Sequence, residues 1–344
     1  MPLAARIESA VSRSSHRAQQ FIGRLFSKRG TPTALDGKDE LLAFDNTAFK
    51  VKGKWTAEFV ISIFSKRDDE IAHKLEEEIL ALFGISNDAV EWSRFKYFIA
   101  IPRQNVIVDL KMVDGKESFT VGPTEYNGIM SSELAFPIDG HTWVHGEATK
   151  FEVVPQNGFD QRPNFTTFFA EDRGIGVISG NCFNKARLLT PDIDDTIKIS
   201  DVNDRIKLLQ HTFLDKHGEP VPGMPELYKT LFHKLDNPTF VYLSASPWQL
   251  YPFLHEMITA NYPRGQIILR DMSYVELSSF TASLTIGTQE FKEDEMDKLH
   301  RWLPNKQFLA IGDSTQRDPE AYGTMYGPTC MSAYLLDIEN IRDG

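Results

Sequence analysis

Two short apolar runs constrain the fold of this chain more than any other feature. Phe240-Val241-Tyr242-Leu243 ends at Ser244, and Phe308-Leu309-Ala310-Ile311 ends at Gly312-Asp313. Unbroken apolar runs of this length, bounded by turn residues and separated by helical patterns, read as strands buried on both faces, the condition of a parallel sheet with helices packed over it. A helix-like stretch containing Lys292 lies between them, and Gly174-Ile175-Gly176-Val177-Ile178-Ser179 supplies a further strand. Ligands of such sheets bind beyond the carboxyl ends of the strands, so Asp192, Ser244 and Asp313 are expected at one edge.

Asp192-Ile193-Asp194-Asp195-Thr196 puts three carboxylates and a hydroxyl together, with β-branched residues following. Like charges held this close repel and raise one another's pKa unless a cation neutralises them. A Mg²⁺ site is the economical reading, because that hard cation takes carboxylate and carbonyl oxygens and is usually held by one or two carboxylates with a substrate phosphate. A solvated acidic turn capping a helix is the alternative for an isolated D-x-D-x-T.

The ordered set separates the two readings. An acid pair, a hydroxyl, a lysine and a further acid, in that order, resembles the haloacid dehalogenase (HAD) superfamily of phosphatases. Four longer blocks sharpen the likeness: Asp192-Ile193-Asp194-Asp195-Thr196-Ile197-Lys198, Tyr242 to Tyr251, Gly287-Thr288-Gln289-Glu290-Phe291-Lys292, and Gly312 to Tyr322. Together they resemble the fungal actin-patch phosphatidate phosphatase family, over about residues 174 to 325. A looser likeness reaches upstream to Leu42 to Ala48 and Trp55 to Val60. The fold implied is α/β: a HAD-like Rossmannoid parallel sheet preceded by an N-terminal, β-rich α+β domain.

The resemblance also implies roles. Asp192 is the nucleophile and Asp194 the general acid and base. Ser244 and Lys292 bind phosphate. Mg²⁺ is held by Asp192, the main-chain carbonyl of Asp194 and Asp313, with Asp318 as ligand or directly behind one. Thr196 and Asp195 support the metal loop. Little room for a covering cap remains between Lys198 and Asn237, so an open site is expected, suited to a phosphate presented on a membrane lipid.

One departure stands out. In the resembled family a strand ending in Val-Ile-Ser runs directly into the acid motif, whereas here Gly180 to Pro191 intervenes. Removing that segment restores an unbroken Val-Ile-Ser-Asp-Ile-Asp-Asp-Thr-Ile-Lys, which marks it as a translated intervening sequence or gene-model error. If the segment is real, Arg187-Leu188-Leu189-Thr190 must serve as the strand, with Pro191, which lacks an N–H, beside the nucleophile. The chain after Tyr322 resembles the family weakly, so the far edge of the sheet is expected to be altered.

Three parts are expected: a basic arm over 1–36, an α+β domain over 37–170, and a phosphatase domain over 171–344. The arm carries Arg6, Arg13, Arg17, Arg24, Lys28 and Arg29 against Glu8, in a chain whose net charge is -11. It reads as an interfacial helix drawn to anionic lipid, a mitochondrial-type targeting segment, or a disordered arm. The acidic total argues against non-specific nucleic-acid binding. The 2 cysteines indicate no disulfide framework. No apolar run is long enough to cross a bilayer, which predicts a soluble or peripheral protein.

Within the second part, strands are expected at Trp55 to Phe64, Phe98 to Ile101, Asn105 to Met112, Ser118 to Val121 and Thr142 to His145, with a helix over Asp68 to Phe83. His141 and His145 read as surface residues. Trp248, Leu250, Tyr251, Phe253 and Leu254 read as core rather than lipid contacts. Glu226 to Leu235 is expected as a helix, and Pro222-Gly223-Met224-Pro225 as a loop.

The function implied is Mg²⁺-dependent hydrolysis of phosphatidate to diacylglycerol and phosphate, in the cytoplasm and peripherally at membranes or cortical actin patches. Actin-patch or endocytic proteins are the partners implied. A HAD phosphatase of soluble or protein phosphates, and a non-catalytic membrane or cytoskeletal adaptor, are the alternatives.

Overall fold

The computed structural model describes residues 34–68, 92–136, 143–179, 196–200, 217–271, 288–313 and 330–336, apart from positions 116, 157 and 158, together with 70, 73, 74, 193 and 211. For Lys292, Asp313 and the last strand the description is of backbone.

Residues 39–169 build a nine-stranded sheet: β1 (Asp39–Ala43), β2 (Asn46–Val51), β3 (Lys54–Ser65), β4 (Ile101–Pro102), β5 (Val108–Met112), β6 (Ser118–Val121), β7 (Ile129–Ala135), β8 (Ala148–Pro155) and β9 (Asn164–Phe169). Its order is β1-β3-β2-β9-β8-β5-β6, with β4 and β7 also on β3. Every pairing is antiparallel except β2 with β9. The β2–β3 hairpin closes through Lys52 and Gly53, both at positive φ (49° and 82°), the pair of angles that suits a two-residue turn between twisted strands. The sheet curls round Phe59, whose ring meets Phe119, Phe136, Phe151 and Phe165 edge-on at 5.1 to 6.0 Å. Such contacts add to burial of the rings themselves.

The second sheet holds β10 (Ile175–Ser179), β11 (Thr239–Pro247), β12 (Gln266–Arg270), β13 (Gln307–Asp313) and β14 (Cys330–Leu336), in the order β12-β11-β10-β13-β14, all parallel. The expected apolar runs are its three central strands. Successive side chains point to opposite faces, so each run fills two cores. Val177, Tyr242 and Ile311 pack with α2 (Met224–Lys234) and α3 (Tyr251–Asn261). Ile178, Val241, Leu243 and Ile268 pack with Leu299, Trp302 and Leu303 at the end of α4 (Thr288–Trp302) and just beyond. Gly176 makes room for the Phe308 ring, which a Cβ would approach to 2.7 Å.

Several expectations change. Phe98 to Ile101 is not one strand: Trp92–Phe98 is a helix, α1, and only Ile101–Pro102 pairs, as β4. The aromatic density there is helical packing, with Tyr97 and Phe98 turned toward the core that holds Phe64 and Trp248. Thr142 to His145 forms no strand over its described residues; Trp143 stacks on Phe169 at 4.6 Å and Gly146 turns at φ 85°. His145 is half-buried rather than on the surface, its Nδ1 accepting from the Glu171 N–H at 3.5 Å. Pro225 lies in the first turn of α2 rather than in a loop. The far edge of the parallel sheet is occupied by β14, so that part of the resembled pattern has a strand after all. Most of Asp68 to Phe83, His141 and the basic arm lie outside the described residues. Among the described residues no helix is long and apolar enough to cross a membrane.

Candidate active site

Strand register sets the frame of the site. Ser179, the last residue of β10, pairs with Tyr242 on β11 and with Ile311 on β13. Ser244 and Asp313 each stand two residues further along their strands, at one level on either side of β10. Two strand spacings separate them, about 10 Å. Positions 244 and 313 therefore stand level at the carboxyl edge, where parallel sheets bind ligands.

Ile193 and residues 196–200 are the described part of the motif loop. Ile193 and Ile197 are fully buried in the core that contains Val177 and Ile311. The Ile197 and Lys198 N–H groups both donate to the Ile193 carbonyl, at 3.1 and 3.0 Å, closing a tight turn. The turn is held from outside. The Tyr262 hydroxyl, beyond α3, donates to the Ile197 carbonyl at 2.6 Å, and Ile199 N–H and Ile197 C=O pair with Glu219 and Val221. Burial keeps the Tyr262 phenol protonated by pushing its pKa far up, so it stays a donor at any physiological pH.

Thr196 is completely buried, and among the described residues its Oγ1 has no hydrogen-bond partner. An orphaned buried hydroxyl costs roughly 1–3 kcal/mol unless something pairs with it. In the sequence Thr196 follows three carboxylates, and oxygen donors of this kind are the donor chemistry Mg²⁺ takes. Asp192, Asp194, Asp195 and Asp318 lie outside the described residues.

Ser244 is fully buried, and its Oγ accepts from the Ser246 N–H at 2.9 Å, which orients the hydroxyl at the strand end. After Pro247 a single 3-10 turn, Trp248–Leu250, leads into α3. Trp248, Leu250, Tyr251, Phe253 and Leu254 are all buried, as core residues rather than lipid contacts. Lys292 lies in α4, which packs across β11.

Two buried cations sit behind the loop. Lys198 Nζ donates to Ser200 Oγ at 2.6 Å and lies 5.7 Å from the centre of the Phe253 ring. Arg94, from α1, stacks on that ring at 3.6 Å. Sequence reasoning passed over both. Lys198 closes the motif block and is followed by apolar Ile199, a pattern that signals a buried lysine. Arg94 carries no such signal.

The end of β2 nearest this site is tied to α3. Asp45 is nearly buried; one carboxylate oxygen accepts from Thr166 N–H at 2.6 Å, the other meets His255 Nε2 at 3.0 Å. Its own N–H donates to the Tyr251 hydroxyl at 2.7 Å. At the end of β12, Asn127 Nδ2 donates to Asp271 at 2.7 Å. The two sheets are therefore joined by polar contacts at the same edge as Ser244.

Residues 188–329 match the family model described as the catalytic domain of phosphatidate phosphatase APP1. The chain is also similar to phosphatidate phosphatase APP1 of Saccharomyces cerevisiae, 28% identical over 280 residues. That alignment takes in 76% of this chain and 41% of the yeast protein, so the chain spans about two fifths of its relative's length. The matched segment holds Ser244, Lys292 and Asp313 together with the motif loop, so this part of the chain is similar to the catalytic domain of phosphatidate phosphatase APP1.

Proposed function

We propose that the chain is a Mg²⁺-dependent phosphatase of the HAD type that hydrolyses phosphatidate to diacylglycerol and phosphate. The observation that carries this reading is the level placement of Ser244 and Asp313 on the strands flanking β10, inside a segment matched by a phosphatidate phosphatase catalytic domain. A five-stranded parallel sheet with β10 at its centre supports the HAD-like assignment.

Uncatalysed phosphate-monoester hydrolysis is among the slowest reactions known, so the site must do more than bind. Splitting it in two is the remedy. A carboxylate oxygen of Asp192 attacks phosphorus, the bond from phosphorus to the glyceryl oxygen breaks, and Asp194 delivers its proton to that oxygen. Asp194, now ionised, takes a proton from water, whose oxygen attacks the same phosphorus and frees Asp192. The first half requires the protonated form of Asp194, which neighbouring carboxylates would favour. Ser244 and Lys292 meet the charge spread over the phosphoryl oxygens.

Asp192, the Asp194 carbonyl and Asp313 would hold the Mg²⁺, with Asp318 as a ligand or behind one. When bound, the cation lets an anionic nucleophile approach an anionic phosphoryl group. The substrate lies at a membrane surface, which places the protein in the cytoplasm and peripherally at membranes or cortical actin patches, among actin-patch or endocytic proteins.

A second reading, a non-catalytic membrane or cytoskeletal adaptor, is favoured by one feature, the segment Gly180 to Pro191 ahead of Asp192. Assay of phosphatidate in mixed micelles beside a panel of soluble phosphomonoesters separates the readings. Turnover of phosphatidate above the panel supports the proposal. Preference for a soluble ester moves the substrate, and lipid binding with no turnover of anything supports the adaptor.

A further inference from the structure

The chemistry proposed above uses the five-stranded sheet alone, yet the nine-stranded sheet grips the helix that carries Lys292. Glu58 on β3 and Glu133 on β7 stand opposite one another in register. Glu58 Oε2 accepts from Lys298 Nζ at 2.9 Å, while its other oxygen accepts from Ser131 at 2.7 Å. Glu133 accepts from the Trp302 indole N–H at 3.1 Å. Phe49 of β2 stacks on the Trp302 ring at 4.7 Å, and Lys298 Nζ lies 5.2 Å from the centre of that ring. Lys298 also meets Glu295 on its own helix at 2.5 Å.

These contacts are largely shielded from water: the Lys298 and Glu58 side chains are 20% and 16% exposed. Burial alone would lower the pKa of Lys298, but Glu58 and Glu295 outweigh it and the net shift is upward, so Lys298 stays charged. Glu295, Lys298 and Trp302 follow at helical spacing, so one stripe of α4 is fastened over two turns. Lys292 lies one turn ahead of Glu295 and about 9 Å from Lys298 along the same rigid axis.

We propose that Glu58 and Glu133 are positioning residues: through Lys298 and Trp302 they fix where α4 lies over the sheet, and so where Lys292 is held relative to the phosphate. This rests on the assignment of Lys292 to phosphate. Binding groups at a reacting centre must be held within about 0.5 Å, and a displacement near 1 Å can cost on the order of a hundredfold. The nine-stranded sheet is then part of the catalytic apparatus. Removing Glu58 leaves the Lys298–Glu295 pair within α4, so the helix itself survives.

The test compares the full chain with Glu58→Ala/Glu133→Ala, with Lys292→Met, and with all three changes together. Hydrogen exchange should quicken across 288–302 in the double variant and stay unchanged across α3. Turnover of p-nitrophenyl phosphate should fall about tenfold in kcat with KM changed less than about twofold. On the Lys292→Met background the same double change should cost less than about twofold, since its target is already gone. Unaltered kcat in the double variant, or a loss that multiplies in full on the Lys292→Met background, overturns the inference while leaving the proposed chemistry standing. Full activity in Lys292→Met alone, or no turnover by the unaltered chain, overturns the assignment of Lys292 and the inference with it.

Discussion

Two residues far from the acid motif show how charge is managed where the sheets meet. Asp45 is nearly buried and satisfied by Thr166 N–H and His255, with Tyr251 holding its N–H. Asp45→Ala strips the partner from a buried N–H and from His255, and should lower stability by about 3 kcal/mol in urea unfolding. Lys306 is the converse case. Only 1% exposed, it donates to the Arg173 carbonyl at 2.9 Å; burial, opposed by Asp172 and Glu171, brings its pKa down to about 8. Between about pH 8 and 10.5 the unfolded chain keeps a proton that the folded chain has released, so stability rises with pH across that window and the penalty stands in full below it. Urea midpoints measured from pH 7.5 to 10.5 should show this rise in the wild type and its loss in Lys306→Met. Neither site could be read from sequence, because Asp45 and His255 are 210 positions apart and no local pattern joins them.

At the scale of elements, what sequence revealed follows burial. The runs at 175–179, 240–243 and 308–311 were legible because central strands of a parallel sheet are apolar on both faces. The strands β1, β2, β7, β8 and β9 were not, since polar residues interrupt the apolar sequence of each; β7 reads Ile-Met-Ser-Ser-Glu-Leu-Ala. Phe98, the last residue of α1, was read as the start of a strand because aromatic residues suit either element, and the helical spacing there, Arg94 to Tyr97 and Phe98, is short. The site was legible as an ordered set of residue types, whereas the clamp on α4 depends on side chains that only the fold brings together. β10 bears on Gly180 to Pro191. The family match begins at residue 188 and so omits β10, yet Ile175–Ser179 takes the central position of the sheet. Ile193 and Ile197 pack into the same core as Val177, where the chain would continue if the segment were absent. We therefore expect a chain lacking Gly180 to Pro191 to fold, with a melting temperature no lower than the parent's and phosphatase activity at least equal to it. Loss of the cooperative thermal transition on excision would show the segment to be structural.

Over the described residues the molecule is two sheets joined along a polar and aromatic seam. Phe44 meets Tyr251 at 4.3 Å near the catalytic edge, and Phe49 meets Trp302 at the other end of β2. Asn305 is tied to Asp172 at the amino edge, through contacts of 2.6 and 2.7 Å. Such a seam holds both flanks of the parallel sheet, α3 on one face and α4 on the other, against the same β-rich body. The most direct test is phosphate release from phosphatidate by the purified chain, titrated with Mg²⁺ and repeated with Asp192→Asn. The account predicts release that rises from zero with Mg²⁺, disappears with chelator, and falls at least about a thousandfold in Asp192→Asn. Release that ignores the cation, or that survives the loss of the Asp192 carboxylate, would contradict it.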